Sequence, residues 1–424
     1  MPDTPCRTPT GHGFMHTEYT FFGRQAILDH NQDTWGFELL YRASADAQSA
    51  DYSDADSATL QVAASAMSSP QRVDRHGQFL LINFTETSIL QGLPYVVPAD
   101  ATVIQVPETL ESPDALDQLK GMKEQGYRVA LDGFTNSEPD SPLLGIADTL
   151  IIDVKDIDET TVKTLVNAPQ AQGKNLIAKR VEDKERFAFA KGLGFPLFQG
   201  YFFTRPEIVA NRRLSSNEIS RFKLLKFLEK NGEDLQALAQ AIATDVSLSY
   251  RLLFYLNSPG IGLPNKVNTI MQAVAMLGWR KTGLWLRLAI LTDIADKSKP
   301  SELPFLSLNR AKFLEMVALK SPSYTERSDS LFLLGLFSLL DALLDIPLAE
   351  IVDHLALDAQ VREALAGKNN TLSPWLDLAV CFETGDWPRL DTLAQVLTLA
   401  PETLAECYAD ALSWSNTFFD LAIE

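Results

Sequence analysis

The first residues able to do chemistry lie in Gly36-Phe37-Glu38-Leu39-Leu40-Tyr41-Arg42, where one acid and one base, Glu38 and Arg42, stand among apolar residues. The run follows Tyr19–Asp29 and a polar turn, His30-Asn31-Gln32-Asp33. Two β-rich runs around a short Asn/Asp turn read as a hairpin. A charged pair in such a strand has two readings: a buried ion pair that serves the fold, or part of a site. Further along, Asn83 sits in Leu80-Leu81-Ile82-Asn83-Phe84, Asp132 follows Val129-Ala130-Leu131, and Gln199 precedes Gly200-Tyr201-Phe202-Phe203. Any one of these would serve as a strand-end cap. Their recurrence at several strand ends favours a shared pocket.

The elements that would position these residues follow from the alternation of residue types. Strands are expected over Gln78–Phe84, Ala101–Val106, Arg128–Phe134, Thr149–Val154, Asn175–Val181 and Leu197–Phe203. Helices are expected between them, over Asp54–Met67, Pro113–Glu124, Glu159–Ala168 and Asp183–Gly192. Strands separated by helices read as βα units on a parallel sheet. So many units in so short a stretch predict a TIM-type βα barrel, an α/β fold whose functional residues gather at the C-terminal ends of the strands.

Composition bounds the rest. The chain has 424 residues, 46% hydrophobic and 22% charged, with a net charge of −18. That suits a globular protein of about two to three domains. Nucleic acid is excluded as a direct partner, because a long polyanion binds through many Lys and Arg contacts. A small anion remains open to it, since a pocket needs only a few local cations. Cys6, Cys381 and Cys407 have no metal-ligand spacing and predict a reducing interior. The apolar runs Leu284–Ile294 and Leu331–Leu344 are too short and too interrupted by polar residues to span a bilayer. A cytoplasmic protein with no membrane insertion is expected.

The spacing Glu38-x-Leu40-x-Arg42 resembles the signature of EAL domains, the phosphodiesterase domains that cleave cyclic di-GMP. The resemblance covers residues 19–206, opening at Arg24-Gln25 and closing at Pro196–Pro206. It implies a pocket that holds divalent cations through carboxylates and an Asn, with a Glu as base for the attacking water. By the same resemblance Arg42 would hold a phosphate. Glu38 matches the first ligand and Asn83 the second. The next carboxylate is Gln105 here, in Ile104-Gln105-Val106-Pro107-Glu108. The second Asp of the following pair is Gly133, after Asp132. The family's Lys-Ile-Asp is Ile151-Ile152-Asp153, and its base position is Lys179, in Ala178-Lys179-Arg180-Val181-Glu182. Glu182 and Gln199 remain. A fixed ammonium repels a divalent cation at several ångströms by kilocalories. On that ground the chain is expected not to hydrolyse cyclic di-GMP, and no metal and no cofactor are expected. Glu38, Arg42, Asn83, Gln105, Asp132, Lys179, Glu182 and Gln199 then form a vestigial or ligand-binding pocket.

From residue 216 onwards helical spacing dominates, with helices expected at Ser216–Lys230, Leu235–Ala243, Leu248–Leu256, Thr269–Leu277, Trp279–Ile294, Leu308–Leu319 and Leu331–Leu344, and on to Pro401–Phe419. Asn257-Ser258-Pro259-Gly260 stops a helix and Gly278 ends or bends another. The stretch Thr244–Ile294 resembles the HDOD domain, a helical relative of HD-type metal phosphohydrolases without their metal ligands. His354 is the single histidine of this half, so no such metal site is expected.

The organisation expected is a tail at 1–18, a barrel at 19–206, a linker at 207–217 and an all-α domain at 218–424. Three functions stay open at this point. The first is a non-catalytic signalling regulator with the barrel as sensor or scaffold and protein partners on the HDOD half. The second is a metal-independent cyclic di-GMP receptor. The third is a residual phosphodiesterase. Analogy with EAL domains adds pairing as a homodimer.

Overall fold

The computed structural model describes residues 21–42, 78–205, 216–230, 234–258, 261, 266–294, 299–355 and 357–423. The tail at 1–18, the helix expected over Asp54–Met67 and most of the 207–217 linker lie outside the described residues, as do the side chains of Arg42 and His354.

Eight strands close into a barrel in chain order. They are β1 (Phe21–Asp29), β2 (Thr34–Arg42), β3 (Phe79–Asn83), β4 (Thr102–Pro107), β5 (Arg128–Asp132), β6 (Thr149–Asp153), β7 (Asn175–Lys179) and β8 (Leu197–Gln199). From β2 to β8 neighbours run parallel, whereas β1 is antiparallel to both β2 and β8. The hairpin reading of β1 and β2 holds. Its turn is fixed by Asp29, whose carboxylate accepts from the amides of Asn31 (2.8 Å) and Asp33 (2.9 Å), with Gln32 at φ 68°. Strand side chains alternate between two cores. Ile27, Leu81, Val103, Ala130, Ile151, Ile177 and Leu197 fill the barrel interior. Leu80, Ile82, Ile104 and Val129 face the surrounding helices.

β8 ends four residues earlier than the sequence suggests. Gly200 adopts φ 153°, and a Cβ there would stand 2.0 Å from the Val181 carbonyl oxygen. The chain turns into a short 3₁₀ segment, Phe202–Thr204, where Phe202 stacks on Phe187 at 4.6 Å. The short helices Glu86–Leu90 and Pro142–Ile146 were not legible, because five residues carry too little periodicity.

The second half is all helical among the described residues. Ser216–Lys230 and Leu235–Ala243 form as expected. The two helices expected on either side of Gly278 form within Ile270–Ile294 and meet at a kink at Gly278, which takes φ 74° and ψ 171°. The run Leu331–Leu344 splits into Ser328–Phe337 and Leu340–Leu344. At the break the Ser338 hydroxyl donates to the Gly335 carbonyl (2.7 Å), and Gly335 lies against the backbone of Ala311. The helix Glu302–Lys320 is buried on nearly every face and carries Asn309 and Arg310 into the core.

The two halves share one seam. A tight turn joins β1 to β2, so no helix of that connection covers the outer face of β1. The helices Ser373–Thr384 and Pro401–Ile423 pack there instead. A Cβ on Gly23 would stand 1.8 Å from the Phe382 carbonyl oxygen. Arg24 pairs with Glu302 at 3.0 Å, and its guanidinium lies between the rings of Phe37 (3.9 Å) and Phe305 (4.2 Å). Arg310 grips Glu383 with two bonds of 2.7 Å, and the Tyr201 hydroxyl donates to the Glu383 carbonyl at 2.6 Å. No helix among the described residues is long and apolar enough to cross a membrane.

Candidate functional site

The C-terminal ends of the parallel strands bring six of the expected residues into one polar network. Glu38 of β2 is 2% exposed and stands at its centre. Its Oε1 accepts from Asn83 Nδ2 (3.0 Å), Gln105 Nε2 (3.1 Å) and Lys179 Nζ (3.1 Å), while its Oε2 accepts from Gln199 Nε2. Asp132 Oδ2 accepts from Gln105 Nε2 (2.8 Å) and Lys179 Nζ (3.1 Å). Lys179 thus bridges two carboxylates contributed by β2 and β5. Burial works against its charge, but Glu38 and Asp132 more than offset this, so its pKa sits above the usual lysine value.

Two expected residues stand apart. Glu182 pairs with Lys155 at 2.7 Å and with Arg205 at 3.7 Å, outside the network around Glu38. Arg42 ends β2, with its side chain outside the described residues. Two residues quoted in the sequence motifs were not assigned to the site there. Gln25 accepts from Gln199 Nε2 at 2.9 Å, and its signal was its place in β1 opposite Glu38. Asp153 pairs with Arg180 at 2.5 Å, where Arg180 takes φ 59° directly after Lys179.

Above the network lies a cavity of about 650 Å³, lined by Asn83, Glu86, Thr109, Asp132, Asp153 and Lys179 among others. Its size falls in the range of small-molecule sites. A divalent cation of the kind the EAL resemblance implies does not fit the donors as they stand. The Lys179 ammonium already lies in contact with both Glu38 and Asp132. Among the described residues no group of three or more His, Cys, Asp or Glu side chains could hold a metal. What the arrangement offers is an ammonium with three N–H donors, of which Glu38 and Asp132 engage two.

An EAL domain model matches residues 83–206 and an HDOD domain model matches residues 218–344. The chain is 32% identical over 410 residues to the cyclic di-GMP phosphodiesterase CdgJ of Vibrio cholerae, covering 95% of this chain and 94% of that protein. It is also 32% identical to the protein YuxH of Bacillus subtilis, over 94% of this chain and 99% of that one. The Klebsiella pneumoniae BlrP1 calcium and cyclic di-GMP complex superposes with a TM-score of 0.36 at 21% identity, covering 46% of this chain and 58% of that chain.

The Vibrio cholerae relative overturns one expectation. Loss of carboxylates at Gln105, Gly133 and Lys179 led to the expectation of a chain that does not hydrolyse cyclic di-GMP, yet a relative aligned over nearly its whole length is named a phosphodiesterase of that substrate. Counting lost carboxylates treated each position singly, whereas Gln105 and Lys179 join Glu38 and Asp132 in one intact network. By the relatives it matches end to end, the chain belongs to the family of two-domain proteins in which an EAL domain is followed by an HDOD domain.

Proposed function

We propose that this chain acts in cyclic di-GMP signalling as a phosphodiesterase, the activity in the name of its Vibrio cholerae relative, and that the barrel mouth receives the dinucleotide. The observation that carries the location is Lys179, an ammonium fixed at the floor of the 650 Å³ cavity by Glu38 and Asp132. Its remaining N–H is a donor for a phosphate oxygen, and Asn83 and Gln105 hold the carboxylates that orient it. Binding through Lys179 asks for no divalent ion, because the positive charge belongs to the protein.

The helical half is the protein-facing module in this reading. Its support is the helix Val246–Asn257, which exposes Val246, Tyr250 and Phe254 at successive i, i+4 positions, with Tyr250 and Phe254 stacked at 6.2 Å. An exposed apolar stripe of this kind marks interaction surfaces.

The test is incubation of the full chain with cyclic di-GMP in EDTA, in magnesium and in manganese, with separation of the linear dinucleotide and calorimetric titration alongside. Saturable binding and a linear product in at least one condition are expected. Full recovery of the cyclic form under every condition would overturn the phosphodiesterase reading, and absence of binding heat under every condition would overturn the barrel-mouth site.

A further inference from the structure

A second cavity lies wholly within the helical half, walled by Ser216–Lys230, Ile270–Ile294, Glu302–Lys320 and Ser328–Phe337. It measures about 360 Å³, little more than half the volume at the barrel mouth. Its floor is apolar, with Leu228, Leu284 and Phe332. Its rim carries Trp279, Arg280 and Lys281, together with Arg287.

Three features make this rim more than a solvated helix end. The first is charge. Among the lining groups Lys312 and Glu315 neutralise each other at 2.7 Å, and Asp329 is the remaining acid. Arg280 and Lys281 against that one acid leave the rim positive in a chain whose net charge is −18. The second is availability. Arg280 and Lys281 are exposed and make no hydrogen bond or ion pair with a described residue. The third is the break at Gly278. Nothing stands within 4 Å of a Cβ added there, so the glycine serves the left-handed backbone and not a close approach. The break restarts the helix at Trp279. The first turn of the new segment therefore sets the positive end of its dipole beside Arg280 and Lys281.

We propose that this cavity binds a nucleoside monophosphate, with the base against Trp279 and the apolar floor and the phosphate on Arg280, Lys281 and the restarted helix. Flat apolar walls with a cationic rim suit an aromatic body carrying a dianion, and the volume suits one nucleotide more than a cyclic dinucleotide. The site is separate from the barrel mouth and stands or falls independently of the reading given for it.

The experiment titrates the full-length Lys179→Glu protein, in which binding at the barrel mouth is expected to be weakened, with guanosine 5′-monophosphate, adenosine 5′-monophosphate and inorganic phosphate, following heat and tryptophan fluorescence. The nucleotides are expected to bind more tightly than phosphate. Adding Arg280→Glu and Lys281→Glu is expected to weaken them by at least about tenfold, with the melting transition unchanged because both side chains are exposed. Should Lys179→Glu not fold, the same titration is run on the otherwise unaltered chain with and without the rim pair. No nucleotide binding at millimolar concentration, affinity unchanged by the rim substitutions, or phosphate binding as tightly as the nucleotides would each overturn the proposal.

Discussion

Glu38 and Lys179 define the barrel mouth at the scale of single residues. Glu38 takes four donors from four strands, and Lys179 ties it to Asp132. Replacing Lys179 by Met leaves two carboxylates facing each other without their cation. We expect a loss of about 2–4 kcal/mol, read as a lower denaturant midpoint with an unchanged slope; an unaltered midpoint would mean that the ammonium does not bridge the pair. The cysteines give a second prediction. Burial pushes the thiols of Cys381 and Cys407 up to about 11. The folded chain therefore keeps both protons above the ordinary thiol value of 9.0, where the unfolded chain loses them. Their contribution to stability is fully present below that value and fades as pH rises towards 11. In the native protein at neutral pH a thiol reagent should find neither cysteine until denaturant is added. Prompt modification of the folded chain at either position would contradict their burial.

The elements show where sequence is a good guide and where it is not. Asn83, Asp132 and Gln199 were legible as polar residues near the ends of β-runs that do not need them, and Lys179 through the EAL resemblance alone. Glu182 looked equivalent three residues past β7, but by then the chain has left the strand, and its carboxylate pairs with Lys155 and Arg205. Helix boundaries followed capping groups such as Asp158, which accepts from the amides of Thr160 and Thr161 at 3.0 and 3.1 Å. The exposed helix Val246–Asn257 carries a prediction at this scale. Tyr250→Ser with Phe254→Ser removes the apolar stripe but no core contact, so thermal stability should move by less than about 1 kcal/mol. A drop of several degrees would show that these rings support the fold.

The whole molecule is held by pairs that no local pattern announces. Arg24 and Glu302 lie 278 positions apart, and Arg310 and Glu383 lie 73 apart. Sequence reading supplied both halves and missed the seam, because nothing near Arg24 in the chain names its partner. Gly23 is the tightest point of that seam. Gly23→Ala should cost about 1–3 kcal/mol through overpacking against Phe382. Arg24→Met, which strands a buried Glu302, should cost about 3–5 kcal/mol. Both would be read by chemical denaturation, and two separate transitions in the parent protein would contradict a shared seam. The most direct test of the barrel mouth is calorimetric titration of cyclic di-GMP, in EDTA, into the unaltered chain and into Lys179→Glu. The unaltered chain should bind, and Lys179→Glu should bind at least about tenfold more weakly. Equal affinity for the two proteins, or binding that needs magnesium, would contradict a pocket whose cation is Lys179.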